Sequence, residues 1–514
     1  MKYIVCFIGC LATLFSVSSC TTNFDDYNTN PNQPEMWTVS PSSLLPNVIY
    51  SGATTMLNNS WMLTNELMQY TVGGATNNAV HRYVISNASM ASVWNGCFIW
   101  AANATHMYEV AKMKREETDN AEYRNCEAIA LTMKVFYMSN AADVFGDIPC
   151  REAFKGRGEQ NYKPVFDTQQ DAYSQFYLWL EEANQLYDTS TPLKKTDKDL
   201  LYGGDMLKWK KFTNSLYLRL LMRLSNRDKE MNVFEKIREI LNDPETYPVF
   251  SGNEDNATIF FSGSAPFLNP FGDKNETEFT GSGHNMTENM VSLMNTTNDP
   301  RLPFYYVKVK GYDWKGQPSG ESFQDTDNKG ISMLNKNVLG LYASPYSLMK
   351  YDEVLFIKAE AAKVGIIPGG DDVAQKNYED AITASIRYWQ SIDPDKTPVT
   401  DEVISFFLQN GVTYNGTLQQ ILTQKYIALF WTGYEAWHEY RRTGYPKLRI
   451  GSATGSNNYT LPTRFEYPTN TAETNPDNYK AAVDRLRTLY RGGDNMLTPA
   501  VSYTHLTLPT ILLV

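Results

Sequence analysis

The stretch MLKWKKFTNSLYLRLLMRLSNR, residues 206–227, carries the reading from which the fold follows. Trp209, Phe212, Leu216, Leu220 and Leu224 recur at spacings of three and four, which puts them on one face of an α-helix. Beside that stripe Arg219, Arg223 and Arg227 recur every fourth residue. Such a basic row either binds an anion or pairs with carboxylates of a neighbouring helix. Pairing is the commoner fate of semi-buried helix charges, so acidic partners on an adjacent helix are expected.

The same periodicity extends in both directions. Residues 167–187 place Tyr173, Phe176, Leu180, Ala183 and Tyr187 on one face, with Asp167 and Gln170 spaced as a capping box. Similar patterns run over 92–114, 121–142, 348–363 and 373–390. Another begins at Thr417, with Gln420 completing a second capping box, and continues to about Arg442 with a break at Gly433. The expected fold is mainly α, with tetratricopeptide-like helical hairpins packed against a loop-rich region with little strand. The repeat signature itself is not visible, so the hairpin stacking rests partly on the resemblance given below.

Between about 243 and 343 the helical pattern fails. Gly, Pro, Asn, Ser and Thr dominate there, broken by Phe304-Tyr305-Tyr306 and Tyr312-Asp313-Trp314, and Phe304 to Lys310 alternates like a strand. An irregular insert mounted on a rigid scaffold is where ligand contacts concentrate. The organisation expected is one domain over 20–500. Its scaffold covers about 41–242 and 344–442, and its ligand-facing insert about 243–343.

The ends of the chain read differently. Lys2, an apolar run from Tyr3 to Phe15, and Val17-Ser18-Ser19-Cys20 form a secretory signal over residues 1–19. The run is shorter than the roughly 20 residues that a membrane-crossing helix needs. An aliphatic residue and two small ones before a cysteine have the form of a bacterial lipobox, with Cys20 as the lipid attachment site; an ordinary signal with a chance cysteine is the alternative. The polar stretch Thr21 to Ser40 then reads as a tether. At the far end, Ser502 to Thr510 resembles translated sequencing-adapter DNA, so 501–514 is read as a non-native tail and His505 is set aside.

Composition narrows the function. A formal net charge of -11 disfavours nucleic acid, whose phosphates call for Lys and Arg. Cys97, Cys126 and Cys150 remain beyond Cys20 and show no framework spacing, although a single bridge among them stays open. The five histidines are isolated, so no metal site or cofactor is expected. No nucleophile elbow or phosphate-cradling glycine loop occurs. A carboxylate pair such as Asp143 and Asp147 would be needed for a glycoside hydrolase, but an Asp-bearing turn after a helix is more often a cap. No catalytic residue is expected.

Binding without chemistry needs aromatic platforms and a few orienting polar groups. With 33 tyrosines and 10 tryptophans the chain has the material. Trp94, following a loop that holds Asn77, Asn78 and His81, is one candidate platform, although Trp is more often buried. Tyr305, Tyr312 and Trp314, in the insert, are the others.

These features together resemble the SusD/RagB family, in its SusD-like branch. Phe24-Asp25-Asp26-Tyr27-Asn28-Thr29-Asn30-Pro31-Asn32 is similar to the family's opening, Asp143-Val144-Phe145-Gly146-Asp147-Ile148-Pro149 to its Gly-Asp-x-Pro turn, and Asp299-Pro300-Arg301-Leu302 to its Asp-Pro-Arg motif. Lys350 to Ala361 resembles its acidic, alanine-bearing helix. Gln424 to Phe430, Gly433 to Trp437 and Arg441-Arg442-Thr443-Gly444 resemble its late helix and turn. Gln424-Lys425 departs from the commonest version, which has Glu-Arg. The resemblance implies a surface-exposed outer-membrane lipoprotein that captures an oligosaccharide, or a peptide, and hands it to a SusC-like TonB-dependent transporter. A structural surface scaffold with no small ligand is the competing class.

Two or three acyl chains, at about 0.8 kcal/mol per buried methylene, hold a protein to a membrane almost permanently. Cys20→Ala is therefore expected to move the protein from the membrane pellet to the soluble fraction; retention in the pellet would remove Cys20 as the anchor.

Overall fold

The computed structural model describes residues 38–73, 80–280, 284–322 and 329–498. Cys20, Asn77 and Asn78 lie outside them. A helical run over 47–67 leads to β1 (Thr71–Val72) and then to the long helices α1 (Asn87–Thr118) and α2 (Ala121–Phe145). Ser86 Oγ accepts from Ser89 N to start α1, and Asn120 Oδ1 accepts from Glu122 N to start α2. Between them Asp119 turns the chain in the left-handed region at φ 44°. The hairpin thus owes its tight turn to side chains that replace missing backbone partners.

The hairpin β2 (Ile148–Pro149) and β3 (Phe166–Asp167) follows, then α3 (Gln169–Leu186), α4 (Met206–Arg223) and α5 (Val233–Asn242). In α3 the cap is one residue later than expected: Thr168 Oγ1 accepts from Asp171 N. Asp167 is drawn away because its carboxylate accepts from the backbone N–H groups of Cys150 and Arg151, at 3.1 and 2.9 Å, and so joins β2 to β3. The scaffold resumes with α6 (Tyr351–Lys363), α7 (Gly370–Ile392), α8 (Leu418–Ala428), α9 (Glu435–Thr443) and α10 (Pro476–Tyr490). At α8 Thr417 caps as expected, but Gln420 Oε1 accepts from Asn415 N and not from the cap's own N–H.

The insert is more ordered than its composition suggests. Its strands β5 (Asn285–Met286), β6 (Tyr306–Val307) and β7 (Met333–Leu334) join β1 from outside the insert in an antiparallel sheet of order β1-β5-β7-β6. A second pair, β4 (Ala257–Ile259) with β8 (Tyr346–Met349), closes its two ends. The strand expected over Phe304 to Lys310 shrinks to Tyr306–Val307, because Leu302–Tyr305 forms a helical turn.

Charged side chains are buried where the helices meet. Arg219, 3% exposed, grips Glu353 through Nε and Nη2 at 2.7 and 2.5 Å and approaches Glu435 at 3.4 Å. Arg223 pairs with Asp143 and Glu435. The basic row of α4 therefore binds carboxylates of α2, α6 and α9, while Arg227 pairs on the surface with Glu230. A second knot joins Arg442 to Glu360 and Glu439, with Lys425 on Glu439 at 2.7 Å. Arg301 binds Asp299 and, at 2.6 Å, Gln424. The unusual Gln424-Lys425 pair thus supplies a neutral acceptor to one arginine and a cation to the other knot. Cys97, Cys126 and Cys150 are free, buried thiols.

Removing one partner of a buried ion pair leaves an uncompensated charge in a poorly solvated site, at a cost of about 3–5 kcal/mol. Arg223→Ala is expected to lower the urea unfolding midpoint accordingly. The triple change Arg223→Met, Asp143→Asn, Glu435→Gln should recover part of the loss. An unaltered midpoint for Arg223→Ala contradicts the assignment.

Candidate functional site

At the foot of β1 the chain makes a turn whose key residue, Gln69, sits in the left-handed region at φ 58°. Its amide reaches the loop after α9: Nε2 donates to Arg449 O at 2.5 Å and Oε1 accepts from Arg449 N. From the insert, Thr287 Oγ1 donates to Gln69 O at 2.6 Å. Gln69 thereby fastens three sequence-distant segments and shapes a notch of about 280 Å³ between them. Glu288, Asn289, Ser319, Lys447 and Arg449 line it with Gln69.

The electrostatics of the notch centre on Arg449, which is half exposed. Its guanidinium spans Glu288 and Glu321, both at 2.8 Å. Glu321 also accepts from Ser452 Oγ and N, and these bonds hold its carboxyl below the usual range. Charge is therefore fixed at the rim. Deeper in, Ser319 Oγ is buried without a hydrogen-bond partner among the described residues. A buried hydroxyl left so is a site where a ligand or water recovers a lost bond.

His81 belongs to this region as a brace. It is buried, and its Nδ1 accepts from Gly320 N at 3.1 Å. Burial, helped by Arg82, pushes its pKa down to about 4, so the ring is neutral near pH 7 and Nδ1 is free to accept. Gly320 itself has φ 78°, and a Cβ there would stand 2.7 Å from Gly451 N. Only glycine lets these two backbones cross. Ala453 N closes the crossing by donating to Gly320 O.

The aromatic candidates divide. Tyr312 is 49% exposed and covers Gly330. Trp314 is half-buried, with Lys308 Nζ at 5.6 Å from its ring. Beyond Trp314 the chain runs along the sheet, where Gln317 N donates to Met286 O, and on to Ser319. Both precede Ser319 on the same segment, but neither is among the residues that line the notch. Tyr305 is fully buried, stacked on Phe430 at 4.2 Å, with its hydroxyl donating to Ile427 O. Phe304 and Tyr306 are buried beside it, so the triplet is core and Tyr305 is withdrawn as a ligand contact.

Trp94 lies in α1, well past its start, and contacts another set of side chains. Phe98, Phe145, Phe166 and Tyr467 surround its ring. It therefore belongs to a separate cleft beside the β2–β3 hairpin. Residues of the notch that sequence reasoning missed, Gln69, Glu288, Glu321 and Arg449, carry no periodic or motif signal.

Asp143 and Asp147, the pair offered as an example for a hydrolase, are each engaged by other side chains. Asp143 is fully buried between Tyr173 and Arg223. Asp147 accepts from Gln169 N at 3.0 Å and Arg485 Nε at 2.6 Å. Among the described residues no grouping of His, Cys, Asp and Glu is placed to hold a metal ion, and no helix is long and apolar enough to cross a membrane.

Comparison with known proteins adds to this geometry. The SusD-like_2 family, described as starch-binding and associating with the outer membrane, matches residues 31–468. No curated protein matches the chain in sequence. Among solved structures, a SusD homologue from Bacteroides fragilis is 25% identical, with a TM-score of 0.74 over 89% of this chain and 98% of its own. One from Bacteroides uniformis is 23% identical, with a TM-score of 0.76 over 92% and 100%. A chitin-binding protein is 22% identical, with a TM-score of 0.74 over 89% and 98%.

An imidazole held below its ordinary pKa of about 6.5 protonates first in the unfolded chain, so its contribution is complete above that value and is lost as pH falls toward 4. Wild type is expected to melt above His81→Asn at pH 7, with the gap narrowing between pH 6.5 and 4. A gap that does not change with pH would show that the ring is not neutral in the fold.

Proposed function

The chain belongs to the SusD-like family, whose members bind nutrients at the outer membrane and are not enzymes, and on that premise we propose that it captures oligosaccharides at the cell surface. A lipid on Cys20 holds it to the outer membrane, and a SusC-like TonB-dependent transporter receives the cargo. The observation that carries the reading is the notch. Donors and acceptors on Gln69, Glu288, Asn289, Ser319 and Arg449 line it, and Tyr312 and Trp314 lie earlier on the segment that leads to Ser319.

Sugars demand that combination. Their hydroxyls each donate and accept, so a site must offer both roles in a fixed order, and their C–H faces pack on aromatic rings. The Arg449 guanidinium, already oriented by its two carboxylates, donates without first losing rotamer freedom. The carboxylates in turn are acceptors for hydroxyls.

Isothermal titration with maltoheptaose, xylohexaose, chitohexaose and a set of short peptides tests the proposal. At least one oligosaccharide is expected to bind and to be recovered uncleaved. Trp314→Ala and Arg449→Ala should each weaken it by about 1–3 kcal/mol, the range of a well-placed anchor, without changing the melting temperature much. Binding of peptides alone would move the ligand class, and cleavage of the ligand would sink the account.

A further inference from the structure

The cleft around Trp94 takes no part in the notch, yet it is built with as much care. It measures about 280 Å³, and one wall is aromatic: Trp94, Phe98, Phe154, Tyr162 and Phe166. Edge contacts from Phe145 and Tyr467, with ring planes at 82° and 87° to its own, hold Trp94 upright while leaving it half-buried. The opposite wall is polar, made of Asn470, Thr471, Thr474 and Asn475.

Tyr162 is the telling residue, because it is 74% exposed on a loop that is pinned from both sides. Glu152 Oε2 accepts from Asn161 Nδ2 and from Val165 N, at 3.1 and 3.0 Å. Across the cleft, Asn475 Nδ2 donates to Pro164 O at 2.8 Å and Asn478 Nδ2 to Lys163 O at 3.0 Å. The ring rests over Gly156, where an added Cβ would come within 3.2 Å of it. An exposed aromatic on a floppy loop means little. One fixed in place by hydrogen bonds at the residues on both sides is a pre-ordered platform, costing little entropy when a ligand arrives.

We propose that this cleft is a second binding site for a neutral sugar segment, separate from the notch. Among the described residues none that lines it is charged, which disfavours an anion or a charged peptide and suits a neutral polyhydroxy ligand. Aromatic faces opposite amide and hydroxyl groups match the two surfaces of a pyranose ring. The volume fits about one or two rings, small for the range of ligand pockets. The site thus reads as a holding point for one stretch of a longer chain. This inference rests on the proposed glycan-binding function and extends it to a second place on the same protein.

The test uses the full-length protein with its notch disabled by Glu288→Ala and Arg449→Ala together, both half-exposed side chains that line it, titrated with the oligosaccharides that wild type binds. Residual binding is expected to survive, and Tyr162→Ala or Asn470→Ala added to that background should lower it at least tenfold; both side chains are exposed, so folding should persist, checked by melting temperature. No residual binding, or residual binding indifferent to Tyr162→Ala and Asn470→Ala, overturns the second site while leaving the notch intact. If wild type binds no oligosaccharide at all, the glycan reading falls and this site with it.

Discussion

The structure depends on a buried ion network centred on α4. Arg219 and Arg223 bring Asp143 of α2, Glu353 of α6 and Glu435 of α9 to one point, across sequence separations of up to 216 residues between α4 and α9. Burying charge is costly, and such a network gains stability only when every partner is present and well oriented. Its physical effect is therefore selective. Any packing of the helices that separates one carboxylate from its arginine strands a charge in the core, so the network favours one relative placement of scaffold segments that lie on both sides of the insert.

That placement is what gives the insert its shape. With α6 and α9 fixed against α4, the strands β4 and β8 at the ends of the insert meet, and β1 is set where β5 can pair with it. Tyrosine hydroxyls then fasten the layers: Tyr306 donates to Tyr70 O, Tyr305 to Ile427 O and Tyr426 to Met68 O. Each ring fills core volume while its hydroxyl satisfies a carbonyl that the irregular backbone leaves open. Much of the aromatic surplus in the sequence is spent here and not on ligand.

What could be read from the sequence follows the same division. Helices declared themselves wherever an apolar stripe faced one core, as at Trp209 to Leu220, and the arginine row beside it forecast its carboxylate partners. Capping was legible to within a residue. Asp167 was misassigned because an acidic side chain next to a helix start has a choice of backbone N–H groups, and the hairpin won over the helix. Tyr305 was misjudged because its neighbours in sequence are polar loops, whereas three consecutive aromatic residues mark a segment buried on both faces. The notch was not legible at all. Gln69, Glu321 and Arg449 meet only through tertiary contacts, and single polar residues in loops have no period to betray them. Resemblance to a family supplied the class of function but no contact residue.

A protein that holds a ligand without altering it is limited by the freedom its loops lose on contact. Here that loss is met in advance, by Gln69 and His81 at the notch and by Glu152 and Asn475 at the cleft, each tying a loop to the scaffold through backbone groups. The two surfaces differ in what they offer. The notch has charge held at its rim, suited to fixing orientation, and the cleft has uncharged aromatic faces, suited to a repeating chain that slides. Two modest sites on one rigid body retain a long ligand better than either alone, because release at one leaves the other engaged at high local concentration. Under the proposed function neither then needs to bind tightly, because weak sites that let go one after the other suit a protein that passes a ligand on.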